Sequence, residues 1–264
     1  MKKKFAVCFS GYPRWVRKSF DTIKSNILDG LGEYDIYANF QWNEDNWKGQ
    51  QIHHEYHDVF EVNELEEFKE LYGSLNLKKL NVIKPYSFGN LLDNVKGSIP
   101  DLQLNLEQSK DCFYRMKSQC QGMYDVTKLI DNLEDYEYVI RMRTDLVTFA
   151  ELDLINYESE FPMNQDGFVA GADRFWCDWF FIIPTSKIDF LKDLSHGPLE
   201  NGIVIHIHDF VGKCGKKYNI EHEEFYIRTP TALGPNNLTV NDVGTYRFKK
   251  PILQSSNPYV IIDR

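Results

Sequence analysis

The stretch from Tyr138 to Leu146, YVIRMRTDL, ends an apolar run with two arginines and one aspartate. Side chains alternate along a strand, so Arg141, Arg143 and Asp145 are predicted to share one face. A carboxylate supplies hard oxygen ligands for a divalent metal, and a guanidinium group can bind two phosphate oxygens at once. The pattern therefore predicts either a site for a metal and a diphosphate or an arginine–aspartate ion pair at a strand end.

A second candidate segment follows the first apolar run, KFAVCF, and reads Ser10-Gly11-Tyr12-Pro13-Arg14. The glycine allows the backbone to approach a ligand closely, and Arg14 is long enough to reach a phosphate or a base. The segment lacks both the GxxxxGK[ST] spacing of a P-loop and the GxGxxG spacing of a dinucleotide-binding turn. The alternative is a plain strand-to-helix turn with Pro13 near the start of the helix.

Hydrophobic periodicity indicates the elements that position these segments. Residues 4–9 predict a buried strand, residues 15–28 an amphipathic helix and residues 34–42 a second strand. This strand–helix–strand opening is typical of an α/β sheet that binds ligands at the carboxyl ends of its strands. Apolar residues three or four apart predict a long helix over 111–133, which leads into the strand at 138–146. Further predicted elements are helices at 64–75 and 188–194 and strands at 80–86, 167–171 and 176–184.

Composition and charge narrow the class of protein. The chain has 264 residues and a formal net charge of −9, which disfavours a protein that coats nucleic acid because such a protein needs a positive field. The five cysteines are odd in number and none are at CxxC spacing, so neither a disulfide framework nor a zinc knuckle is indicated. The first apolar run stops at Phe9, too short for a signal peptide or a membrane span. These features predict a cytoplasmic protein.

The chain resembles glycosyltransferases of the GT-A fold, through the strand and FSGYPR loop at its start and the helix that precedes a strand ending in RTDL. It is most similar to lipopolysaccharide- and capsule-type or viral sugar transferases with a degenerate R-[ST]-D motif. The resemblance implies a nucleotide-sugar donor held by Ser10, Gly11, Arg14, Arg141 and Arg143. It also implies Mn²⁺ or Mg²⁺ bound by Asp145 and bridging to the diphosphate. A complete two-acid motif would place a second acid at residue 143, so the arginine there could replace part of the charge of the metal.

The same resemblance implies roles for residues farther along the chain. Arg115 and Gln119 on the long helix would face the donor sugar, although polar residues on such a helix most often face water. Asp178 lies between two tryptophans, which favours a raised pKa and a role as the base that deprotonates an acceptor hydroxyl. His208 of HIHDF would add a metal ligand, with a surface histidine as the alternative. Trp176 and Trp179 would stack on the acceptor, or would pack within an aromatic strand. Glu221, Glu223 and Glu224 would orient the acceptor or face solvent, and His53, His54 and His57 are assigned to a loop without metal.

The resemblance implies an α/β fold with a mixed central sheet flanked by helices and a Rossmann-like N-terminal half. One domain over residues 1–264 is expected, with 1–146 binding the nucleotide sugar and 147–264 forming the acceptor side and a C-terminal wrap. The predicted activity is transfer of a sugar from a nucleoside-diphosphate donor to a glycan or lipid-linked glycan, as in polysaccharide biosynthesis. A nucleotidyltransferase is a rival, although FSGYPRW lacks the lysine that such a loop normally carries. A non-catalytic nucleotide- or glycan-binding module is the other rival, and it is favoured if Asp145 only pairs with arginine.

Overall fold

A computed structural model of the protein describes twelve stretches of the chain. The described residues are 4–50, 59–89, 106–148, 151–152, 168–171, 180–200, 211, 214–215, 217–218, 221–224, 227–228 and 253–254.

The strands form one large sheet and two small two-stranded sheets. Their bounds are β1 Lys4–Gly11, β2 Glu33–Gln41, β3 Leu77–Ile83, β4 Tyr138–Met142, β5 Val147–Thr148, β6 Glu151–Leu152, β7 Phe168–Gly171, β8 Phe180–Pro184, β9 Glu221–Glu224, β10 Ile227–Arg228 and β11 Leu253–Gln254. The large sheet has the order β3-β2-β1-β4-β8-β7-β9, and β5 pairs with β10 and β6 with β11. Strands β3, β2, β1 and β4 run parallel to one another, whereas β8 is antiparallel to both β4 and β7. The predicted mixed α/β sheet is therefore confirmed.

Four α-helices with defined bounds connect or cover these strands in the described part of the chain. Their bounds are α1 Val16–Ile23, α2 Glu64–Tyr72, α3 Leu106–Thr127 and α4 Asp189–Glu200, with a π-helical turn at Lys24–Leu28 and 3₁₀ turns at Leu133–Asp135 and Thr185–Lys187. The Rossmann-like N-terminal half is confirmed, since β1, α1, β2, α2 and β3 alternate in sequence and the strands run parallel. None of the described helices is long and apolar enough to cross a membrane.

The long helix differs from its predicted span of 111–133. It ends at Thr127, where tight turns take over: the amide of Leu129 bonds to Val126 O and the amide of Ile130 bonds to Thr127 O, each at 3.2 Å. These turns carry Ile130 into the core even though the helix has ended. The apolar spacing therefore continued past the helix because the following turns bury their residues on the same side of the sheet.

Alternation along β1 separates the two hydrophobic layers. Phe5, Val7 and Phe9 pack on the side of α1 and α2, whereas Ala6 and Cys8 pack toward the end of α3. All five are fully buried, and each buried phenylalanine contributes roughly 2 kcal/mol of hydrophobic stabilisation. A strand buried on both faces reads as an unbroken apolar run, as KFAVCF does. Strand β1 lies between β2 and β4, and the candidate site is at its carboxyl end.

Candidate functional site

The order of the parallel strands reverses between β1 and β4, and in an open α/β sheet such a reversal leaves a crevice at the carboxyl ends of the two strands. From β1 the chain passes to β2 and β3 on one side, while β4 lies against the other side of β1. In an open α/β sheet, the point at which the strand order reverses is where ligands bind. Phe9 pairs with Met142 in the β1–β4 register. The loops that follow these two residues therefore begin at the same edge.

Arg141 and Ser10 connect the two strands beneath this crevice. Arg141 is 1% exposed and Ser10 is 2% exposed. The Nε of Arg141 donates to the Ser10 hydroxyl at 2.9 Å, and its terminal amine donates to the Ser10 carbonyl at 3.4 Å. The guanidinium lies 5.8 Å from the centre of the Phe181 ring. Arg141 therefore links β4 to β1 and places a buried positive charge beneath the carboxyl edge of the sheet.

Asp145 joins two further arginines at the crevice. Arg143 binds it with both Nε, at 2.7 Å from Oδ1, and a terminal amine that donates to Oδ2. A terminal amine of Arg14 lies 3.1 Å from the same Oδ2. Asp145 is 1% exposed, whereas the side chains of Arg14 and Arg143 keep 17% and 14% of their surface exposed. We call Arg14, Arg143 and Asp145 the arginine clamp.

The electrostatics of the arginine clamp keep its carboxylate ionised. Burial raises the pKa of Asp145, but the charges of Arg143 and Arg14 and the hydrogen bond from Arg143 lower it more, so that the pKa lies below its ordinary value. A charge-assisted, two-bond arginine–carboxylate contact is among the strongest polar contacts in proteins. The sequence predicted that Arg141, Arg143 and Asp145 share one strand face. The structure instead brings Arg143 and Arg14 to Asp145, whereas Arg141 bonds to Ser10.

The way in which they come together differs from the prediction. β4 ends at Met142, so of the three predicted residues only Arg141 lies in the strand. Arg143 and Asp145 follow it, and the chain bends at Thr144 and Asp145. Thr144 is not turned away from the N-terminal loop, because its hydroxyl bonds to the backbone of Arg14. Its carbonyl also accepts a hydrogen bond from Ser19 of α1. Long-range contacts of this kind leave no local signal in the sequence.

The N-terminal loop holds two residues in the left-handed backbone region. Gly11 has a φ of 111° and Trp15 a φ of 47°. The value at Gly11 is open to glycine, whereas a left-handed tryptophan is strained and persists only where its surroundings hold it. Trp15 is 5% exposed, and the following amide, that of Val16, donates to Glu64 Oε2 at 2.8 Å. Burial of Trp15 and the contact from α2 therefore fix the direction in which Arg14 leaves the loop.

A row of polar side chains lies next to this loop at the end of β2, and sequence reasoning missed it. Gln41 is 3% exposed, and its Oε1 accepts bonds from the amide of Tyr86 at 3.3 Å and from Ser118 at 2.7 Å. Asn39, two residues earlier, is bonded to the hydroxyl of Tyr86 and to Asn81. Polar residues at every second position near the end of an otherwise apolar strand were the available signal.

Helix α3 brings its own polar residues to the same row. The Tyr86 hydroxyl donates to Asp125 of α3 at 2.7 Å. Gly122 lies so close to β1 and β2 that a Cβ there would be 3.9 Å from both Gly11 N and Gln41 Nε2. Arg115 is exposed on this helix and Gln119 is half-buried. The predicted contact of these two residues with a donor sugar stays a prediction.

Several predicted site residues lie outside the described part of the chain. They are Asp178 with Trp176 and Trp179, and His208 with His206 and Asp209 of the same HIHDF segment. The loop predicted at His53, His54 and His57 also lies outside it. Glu221, Glu223 and Glu224 belong to strand β9, where the backbone alone is described. The roles of these residues stay predictions.

The arrangement of Asp145 does not suit a divalent metal at this carboxylate. Both of its oxygens already accept bonds from arginine, and an ion bonded to either oxygen would lie beside two guanidinium charges. Among the described residues, no group of three or more histidine, cysteine or acidic side chains could hold a metal. Mg²⁺ and Mn²⁺ favour octahedral coordination by several oxygen ligands. The residues present therefore do not fit the metal that the resemblance implied at Asp145.

A cavity of about 510 Å³ lies at the opposite, amino edge of the sheet. Its lining includes Lys4, Asp35 and Asn76, which bond to one another through Asp35 at 2.9 Å and 2.6 Å. Ligands of α/β sheets bind at the carboxyl edge. The crevice with the arginine clamp is therefore the stronger candidate site.

The solved structures to which the chain is similar include two of the glycosyltransferase GlyE from Streptococcus pneumoniae TIGR4. The apo form is 15% identical to this chain, with a TM-score of 0.39 over 84% of this chain and 45% of its own. The second structure is 15% identical, with a TM-score of 0.38 over 85% of this chain and 45% of its own. The chain thus spans less than half the length of the structures it matches. No family model and no curated relative matches it.

Proposed function

We propose that the protein is a glycosyltransferase that moves a sugar from a nucleoside-diphosphate donor to a glycan or lipid-linked glycan. The observation that carries the proposal is the arginine clamp in the crevice between β1 and β4. Arg14 and Arg143 are held there by Asp145, with part of each side chain still exposed. Arginine groups fixed by a bidentate contact are prepared to bind phosphate oxygens with little loss of side-chain entropy.

The charge of the crevice supports a diphosphate ligand. Among the described residues, Arg14, Arg141 and Arg143 contribute three positive charges and Asp145 contributes one negative charge. The diphosphate of a nucleotide sugar carries two negative charges, which matches this local excess. Asn39 and Gln41 on the neighbouring strand are buried and bonded within the chain, so they support this edge of the sheet from below.

The transfer step needs a base, and the candidate for it comes from the sequence. Asp178 is proposed as the base that deprotonates the acceptor hydroxyl. Trp176 and Trp179 flank it in the sequence, and apolar surroundings raise the pKa of an acid and suit it to this role. The ion pairs of Asp145 favour a second candidate, a non-catalytic module that binds nucleotides or glycans. The two candidates share the crevice and differ in turnover.

A donor-hydrolysis assay separates the two candidates. The full chain is incubated with uridine, guanosine and adenosine diphosphate sugars, and release of the nucleoside diphosphate is followed with and without glycan acceptors. The transferase predicts slow release in water that an acceptor accelerates, and loss of release in Asp178→Asn. Binding of a donor without release, in water and with every acceptor, would support the module. A matched control is Arg17→Gln, which alters an exposed arginine paired with Glu67 and Glu70.

A further inference from the structure

We propose that Asp145 is a positioning residue for two arginines and that the crevice neutralises a diphosphate without a divalent metal at this carboxylate. The application to nucleotide sugars rests on the proposed function. The anion site itself does not, because it depends only on the contacts of the arginine clamp.

The contacts of Asp145 carry the first step. Arg143 occupies one edge of the carboxylate with two parallel bonds, and Arg14 adds a third contact to Oδ2. A carboxylate that is 1% exposed and bonded on both oxygens cannot take up a metal unless at least one arginine moves away. A metal would also lose by this exchange, since it would then sit next to the displaced positive charges.

The position of the arginines carries the second step. In a two-acid metal motif, residue 143 would supply a carboxylate, and here it supplies a guanidinium. The charge that a metal would bring to the diphosphate is thus already present in the chain, at the same bend. Thr144 ties that bend to the backbone of Arg14 at 3.0 Å and 3.2 Å, so both arginines are fixed relative to the same peptide segment.

The third step concerns competing negative charge. Glu64 is the described acid that reaches the start of α1, and its carboxylate accepts the amide of Val16. Glu67 and Glu70 are engaged by Arg17 on the outer surface. These three acids have partners of their own, and Asp145 is the acid that contacts both arginines of the clamp.

Inorganic pyrophosphate is the direct probe of the proposal. Isothermal titration calorimetry of the full chain in EDTA is expected to show saturable binding. Arg143→Gln and Arg14→Gln are each expected to weaken it at least tenfold, and Arg17→Gln to change it less than twofold. Arg143→Lys keeps the charge but loses the bidentate geometry, so its affinity is expected to fall between those of Arg143→Gln and the natural chain. Failure of pyrophosphate to bind in EDTA would overturn the proposal.

Electron paramagnetic resonance of Mn²⁺ tests the carboxylate itself. The natural chain and Asp145→Asn are expected to take up Mn²⁺ equally. Uptake that Asp145→Asn abolishes would overturn the proposal. Asp145→Asn breaks a buried ion pair and so can prevent folding. If it does, the pyrophosphate titrations on the arginine variants test the metal-free anion site instead.

The two proposals can fail separately. Pyrophosphate binding in EDTA with no binding of any nucleotide sugar would support the metal-free anion site and contradict the transferase. Nucleotide-sugar binding that requires both Mn²⁺ and Asp145 would support the transferase and contradict the metal-free site.

Discussion

Arg14 and Thr144 lie 130 residues apart and are bonded in both directions. The amide of Arg14 donates to the Thr144 hydroxyl at 3.0 Å, and that hydroxyl donates to the carbonyl of Arg14 at 3.2 Å. Thr144 is 1% exposed. One buried hydroxyl thus holds the N-terminal loop against the bend after β4 and sets the distance between Arg14 and Asp145.

Replacement of this hydroxyl tests the connection. Thr144→Val keeps the shape of the side chain but leaves a backbone amide and a carbonyl of Arg14 without their partner, which is expected to lower the free energy of unfolding by about 2 kcal/mol. Thr144→Ser keeps the hydroxyl and is expected to lose less than about 1 kcal/mol. Urea unfolding followed by circular dichroism measures both. Equal losses in the two variants would show that the hydroxyl does not hold the loop.

Removal of the charge of Asp145 is expected to destabilise the protein at neutral pH. Asp145→Asn breaks a buried ion pair and leaves two arginines without their carboxylate, so a loss of about 3 kcal/mol is expected. The exposed Asp29, paired with Lys24 at 2.9 Å, offers a matched control, and Asp29→Asn is expected to change stability by less than about 1 kcal/mol. Denaturant melts at pH 7 compare the two variants.

The pH dependence of the Asp145 effect has a defined sign. The folded-state pKa of Asp145 lies below its ordinary value of 3.8, so its stabilising contribution is complete above that value. It is lost as the pH falls from about 4 through the lower folded-state pKa. The gap in stability between the natural chain and Asp145→Asn is therefore expected to shrink below about pH 4. A gap that stays constant from pH 7 to pH 3 would contradict the ion pair.

A tyrosine pair at the opposite edge of the sheet tests stability apart from ligand binding. The Tyr136 hydroxyl donates to Asp35 at 2.6 Å and lies 2.8 Å from the Tyr37 hydroxyl. Because Tyr136 gives its hydrogen to the carboxylate, Tyr37 must be the donor in the second bond. Tyr136→Phe is expected to cost about 1–3 kcal/mol of unfolding free energy without changing pyrophosphate affinity.

A double-mutant cycle on the same pair measures their coupling. Tyr37→Phe and Tyr136→Phe together are expected to cost less than the sum of the single losses, by at least about 0.5 kcal/mol. Additive losses would show that the two hydroxyls do not interact. A loss of pyrophosphate affinity in either variant would show that the amino edge of the sheet affects the crevice.

Two glycines near the crevice are expected to respond in opposite directions to alanine. Gly11 has a φ of 111°, so Gly11→Ala is expected to cost about 1–3 kcal/mol through backbone strain. Gly122 lies within α3, and the nearest atoms to an added Cβ are 3.9 Å away, which is ordinary contact. Gly122→Ala is therefore expected to stabilise the helix by up to about 1 kcal/mol. Thermal unfolding of both variants checks the signs, and stabilisation by Gly11→Ala would contradict the loop geometry.

Much of the fold could be predicted because its signals are local. The apolar run from Lys4 to Phe9, the glycine after it and the helical spacing from Val16 to Ile27 each depend on neighbouring residues. Strand β1 extends two residues beyond its predicted end and α3 ends six residues before its predicted end. These differences arise because element ends depend on hydrogen bonds to other parts of the chain, such as the Ser10 contacts with Arg141.

The sequence by itself determined which chemical groups are available at the edge of the sheet: arginines at 14, 141 and 143 and an acid at 145. Tertiary structure decided what the acid does, because the same carboxylate can bind a metal or hold arginines, and the choice depends on which partners the fold places beside it. Parallel pairing of β1 with β4 and the contact between Thr144 and Arg14 bring a distant arginine to 3.1 Å from Asp145. The polar side chains of Asn39 and Gln41 likewise depend on tertiary contacts. Tyr86 and the α3 residue Ser118 bond to them at the end of β2, and these partners are distant in sequence.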